Sequence, residues 1–149
     1  MNLGKTCLIA AALMALTGMA MGFYMAAVQD FTLAPAHAHL NLVGWVTMAI
    51  YGLYHRSQRG ASGRLRWVQA IAGALGPPAM AGGLALLLTS PAGSELHKRG
   101  EVTVIAGSVL AMLSMVLFVV VVGRDRVRGG GPGAGASSHQ DGAQLEGSS

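Results

Sequence analysis

Thr6–Val28, TCLIAAALMALTGMAMGFYMAAV, is a run of 23 residues without a charge. At 1.5 Å rise per residue a helix of this length covers about 34 Å, enough to cross a hydrocarbon core of about 30 Å. It follows Lys5, as the apolar stretch of a signal peptide would, but it is too long for that and no clear A-x-A cleavage site closes it. The segment therefore reads as a first spanning helix.

Three further apolar blocks follow. Gln29–Pro35 makes a short linker whose proline suits the first turn of a helix. A second span is then expected over 36–54, AHAHLNLVGWVTMAIYGLY, with Trp45, Tyr51 and Tyr54 in its later part. His55–Arg66, HRSQRGASGRLR, holds four arginines and no acid, and its Gly and Ser residues mark a loop. A third span over 67–89 contains Gly76-Pro77-Pro78, where tandem prolines are expected to bend or open the helix. The connector Ser90–Gly100 precedes a fourth span over 101–123, and RDRVR ends it. Residues 129–149 are Gly/Ser-rich without apolar period and read as a disordered tail in which His139 is idle.

The whole composition agrees with lipid as the solvent. Of the chain 52% is apolar and only 11% is charged, well under the roughly 25% usual in soluble domains. The expected fold is an all-α membrane protein, a bundle of four transmembrane helices over residues 1–128. The net charge of +4 sits in clusters between apolar blocks rather than on one helical face, so nucleic acid is not the expected partner. Eight cations, Lys5, Arg56, Arg59, Arg64, Arg66, Arg124, Arg126 and Arg128, stand against Lys98 and Arg99 on the opposite side. That bias places both termini in the cytoplasm and the start of the second span at the outer face of a bacterial-type inner membrane. Cys7 is the only cysteine, so no internal disulfide or CxxC metal site is available. Gly18 and Gly22 form a GxxxG pattern that serves helix packing or a homo-oligomer.

Chemistry concentrates at the start of the second span, AHAHLNLVGW, residues 36–45. Ionisable groups inside a span are costly and point to function by default. Two residues apart on a helix is about 200° of rotation, so His37 and His39 face opposite sides and do not chelate one ion together. Opposite projection suits flat ligands such as haem, each taking one axial imidazole, with Gly44 letting a macrocycle lie near the backbone. A structural alternative pairs His37 with Asn41, one turn on.

The segment AHAHLNLVGW resembles the His-x-His segment of the catalytic subunit of haem–copper oxidases and nitric oxide reductases, the cytochrome c oxidase subunit I-like family. The resemblance covers roughly twenty residues, and it implies that His37 meets the high-spin haem and His39 the low-spin haem. Together with Asn41 and Gly44 on the same segment, the two histidines make the expected cofactor-binding set. The family's catalytic subunit has about twelve spans and several further histidines. Here the others are His55, His97 and His139, so a complete oxygen-reducing centre is not expected from this chain. His97, on the same face as the pair, is a candidate second ligand, whereas His55 reads as an interfacial residue.

Copper is the second cofactor this sequence suggests. Met21 and Met25, toward the outer end of the first span, would join the histidines as thioether ligands suited to Cu(I). The matching role is a non-catalytic accessory or assembly factor working with other membrane subunits. A transporter is disfavoured because the spans hold few polar groups.

Overall fold

The computed structural model describes residues 2–58 and 63–129; the expected tail at 129–149 lies outside the described residues but for its first. Among the described residues the chain is all-helical. The helices are α1 (Leu3–Val28), α2 (Ala34–His39), a wider π-helical stretch (Leu40–Val46), α3 (Thr47–Ser57), α4 (Arg64–Thr89) and α5 (Glu95–Gly129). Helix α2, the π stretch and α3 follow one another without a break, so residues 34–57 make one rod. Three helices are long and apolar enough to cross a membrane: Leu3–Val28, Arg64–Thr89 and Glu95–Asp125. The rod over 34–57 is the shorter, fourth member of the bundle.

Local chemistry sets the boundaries. Asn2 Oδ1 accepts the Gly4 amide at 3.1 Å and caps α1, which ends where Gln29 turns left-handed at φ 56°. Asp30 Oδ1 then accepts both the Thr32 amide at 2.9 Å and the Thr32 hydroxyl at 2.6 Å. Those two bonds hold the exposed Asp30 carboxyl below its ordinary range. Pro35 enters the first turn of α2.

The last helix starts earlier than its apolar run suggests. Ser94 Oγ accepts the His97 amide at 3.2 Å, and Lys98 reaches Glu95 at 2.9 Å within that first turn. Capping and an i,i+3 ion pair thus bring Glu95–Gly100, expected as connector, into α5. Nor does α4 stop at its prolines: it continues through Pro77 and Pro78, and the irregular backbone lies opposite, in the π stretch.

Two antiparallel hairpins build the bundle. In the first, Gly4 meets Gly52 and Arg56, Gly18 meets Asn41, and Gly22 meets His37, so α1 lies against residues 34–57 along its length. In the second, residues seven apart on α4 oppose residues seven apart on α5. Gln69 meets Ser114, Gly76 meets Gly107 and Ala111, and Gly83 meets Gly100 and Val104. Small residues every seventh position let the two backbones approach. The hairpins join through Gly44 against Pro77 and Gly73 against Met48 and Tyr51.

One end of the bundle therefore carries the start of α1, the end of α3, the start of α4 and the end of α5. We call it the arginine end. The opposite, histidine end carries His37, His39 and the turn between α4 and α5.

Candidate functional site

His37 and His39 stand on the last turn of α2 and face different neighbours. The His37 Nδ1 lies 2.8 Å from the Gly18 carbonyl of α1. A carbonyl only accepts, so Nδ1 carries the proton and Nε2 keeps its lone pair. Gly22 makes room for this ring: a Cβ there would come within 3.1 Å of His37 Cε1. Asn41 Nδ2 donates to the His37 carbonyl at 2.9 Å; its 3.4 Å approach to His37 Nδ1 meets a nitrogen already protonated. The polar turn thus ties the second rod to the first, chiefly through Gly18 rather than through an imidazole–Asn41 pair.

His39 faces away from α1. Its Nδ1 donates to the Pro35 carbonyl at 2.7 Å, which again leaves Nε2 as a lone pair, and the ring is exposed. A carbonyl on one ring nitrogen is the arrangement that orients a histidine for ligation through the other. Beside it runs a groove of about 280 Å³. Val43, Thr47 and Tyr51 continue the wall that His39 begins, Gly73, Pro77 and Met80 of α4 form the floor, and Ser108–Met115 of α5 forms the far wall.

The turn after His39 is wider than an α-helix. Two side chains dress it: the Asn41 amide occupies the His37 carbonyl, and the Thr47 hydroxyl reaches the Leu42 carbonyl, five residues back, at 3.4 Å. Such competition for backbone acceptors accompanies local departures from α geometry, and π turns recur at functional positions.

The other expected site residues are placed differently. Gly44 is buried, and a Cβ on it would lie 3.0 Å from Met14 Sδ and 3.3 Å from Pro77 Cβ, so its open side is filled by helix packing. His97 sits near the start of α5 with Nε2 3.8 Å from Glu101. Among the described residues no three His, Cys, Asp or Glu side chains gather to hold a metal ion. Met21 lines a second, larger groove of about 420 Å³ that contains neither histidine, and Met25 is buried. The thioethers that share a groove with His39 are Met80, Met112 and Met115.

Sequence reasoning missed a second polar cluster, at the arginine end. His55 is buried, and its Nε2 donates to Gln69 Oε1 at 2.9 Å; Ser114 Oγ donates to the Gln69 carbonyl at 2.8 Å. Asp125 accepts from Arg66 at 2.5 Å and from the Tyr54 hydroxyl at 2.7 Å. Phe118 packs its ring among Tyr51, Tyr54 and His55. This clasp joins α3, α4 and α5, and His55 is a buried bridging residue within it at the arginine end. Comparison with known protein families, curated proteins and solved structures finds no match to this chain.

Of the residues at the histidine end, His39 is the one placed to hold a metal or a haem iron, through Nε2. Its imidazole is oriented by the Pro35 carbonyl, and the groove beside it is almost wholly apolar.

Proposed function

We propose that this chain is a four-span protein of a bacterial-type cytoplasmic membrane, with both termini on the cytoplasmic side, that binds haem through His39. The observation that carries the reading is the His39 ring, held by the Pro35 carbonyl with Nε2 free beside an apolar groove. The excess of Lys and Arg at the arginine end supports the orientation. The resemblance of AHAHLNLVGW to the haem-bearing segment of the oxidase catalytic subunit supports the cofactor.

Bound haem would supply one-electron chemistry or a ligand-sensing iron. His39 would hold it, and the lining of the groove would keep water from its face. His37, engaged with Gly18, positions the turn against α1. The roles in keeping with this are electron transfer, sensing or haem handling.

Optical spectra of the purified protein, expressed with ample haem, test the proposal. A Soret band is expected in wild type, retained in His37→Ala and lost in His39→Ala. No band in wild type even after reconstitution, or an unchanged band in His39→Ala, would sink it.

A second reading has its own observation: Met80, Met112 and Met115 share the groove with His39. Thioethers with an imidazole suit Cu(I), and the chain would then be an accessory or assembly factor. Copper that co-purifies with wild type, is absent from His39→Ala and comes without a haem spectrum would favour this reading.

A further inference from the structure

Charge is divided unevenly between the two ends of the bundle. At the histidine end cations meet acids: Lys98 lies 2.9 Å from Glu95, His97 faces Glu101, and Asp30 is exposed. At the arginine end the acid among the described residues, Asp125, is enclosed by Arg66 and Tyr54. Lys5, Arg56, Arg64 and Arg124 are exposed there, and none of the four forms an ion pair among the described residues.

Two of these cations are brought together by the fold. The stem of Arg56 lies over Gly4, where a Cβ would come within 2.6 Å of Arg56 Cγ and 2.9 Å of its amide nitrogen. Lys5 is the next residue along α1, so two exposed cations, one from each helix, stand at the same end of the α1–α3 seam. Below them, on the same helical faces, the surface turns apolar: Ile9, four residues from Lys5, and Leu53, three from Arg56, are 52% and 63% exposed.

We infer that this end of the seam seats the headgroup of an anionic phospholipid, its phosphate between Lys5 and Arg56 and its acyl chains over Ile9 and Leu53. A free phosphate would use the cations alone. The apolar strip directly beneath them is what selects a lipid, and the unneutralised charge is what selects an anionic one. Each cation contributes about a fivefold preference for an anionic over a zwitterionic headgroup.

Native mass spectrometry and thermal unfolding of the full chain in detergent test this with phosphatidylglycerol, phosphatidylcholine or sodium phosphate added. Phosphatidylglycerol should be retained and should raise the unfolding temperature, and the other two additions should not. Lys5→Gln with Arg56→Gln should weaken its retention at least tenfold, whereas Lys98→Gln with Arg99→Gln should not. The exchanged pair Lys5→Arg with Arg56→Lys should keep the lipid, which separates lost charge from a misfolded chain. Equal retention of phosphatidylcholine, unchanged lipid in the Lys5/Arg56 variant, or equal protection by sodium phosphate would each overturn the inference.

Discussion

Both hairpins bring helices close through glycine, yet what fills the contact differs. At the histidine end of the contact between α1 and residues 34–57, Gly18 and Gly22 face the Asn41 amide and the His37 imidazole, two side chains with rotatable bonds, whereas at the arginine end Gly4 meets the backbone of Gly52 and Arg56. Between α4 and α5, Gly76, Gly83, Gly100 and Gly107 face the backbone of the partner helix. A contact through side chains adjusts by rotation. A contact of backbone on backbone yields only when whole helices part. The residues proposed to carry function sit at the adjustable end of the first hairpin, and the other hairpin supplies the floor and far wall of the His39 groove.

The largest effect should therefore follow from adding one carbon to the rigid contact. A Cβ on Gly107 would fall on the Met80 backbone, well inside van der Waals distance, with the Gly76 carbonyl and Met80 Cα next nearest. Gly107→Ala is expected to cost about 3 kcal/mol or more, the upper range for overpacking, because no rotamer relieves it. Thermal unfolding in detergent measures this. A loss under about 1 kcal/mol would mean that the backbones are further apart than described.

The adjustable end of the first hairpin should lose less. His37→Ala removes the 2.8 Å bond to the Gly18 carbonyl and leaves space beside Gly22, an expected cost of about 1–2 kcal/mol. His39→Ala, at an exposed ring bonded only to its own helix, should stay within about 0.5 kcal/mol. The same pair should behave in reverse in the Soret assay. Equal stability losses from the two variants would contradict the division of roles between them.

Much of this architecture was legible in the sequence, and the physical reason is that long uncharged runs have few alternatives to helices in lipid. The 200° separation of His37 and His39 also follows from spacing alone. The early start of α5 did not, since His97, Lys98 and Arg99 look like loop residues until Ser94 and Glu95 are seen to cap and pair with them. The clasp at the arginine end was illegible because its partners are distant along the chain: Arg66 and Asp125 are 59 residues apart, Tyr54 and Asp125 are 71. The glycine seam was present as a signal that went unread. Gln69, Gly76 and Gly83 on one helix and Gly100, Gly107 and Ser114 on the other repeat every seven residues.

A last comparison separates two glycines that a sequence cannot tell apart. Gly82 and Gly83 are neighbours in α4, but a Cβ on Gly82 meets nothing within 4 Å, while one on Gly83 would lie 2.6 Å from the Val104 amide nitrogen and 3.0 Å from the Gly100 carbonyl. Gly82→Ala should be neutral or stabilising by up to about 1 kcal/mol, since alanine restricts the unfolded backbone and a helix accepts it readily. Gly83→Ala should destabilise by about 1–3 kcal/mol, because the clash is with backbone. The pair is a sharper test than either alone: both variants add the same methyl to the same helix turn, so propensity cancels and only the seam remains. Unfolding temperatures that move together would show that α4 meets α5 along a different face.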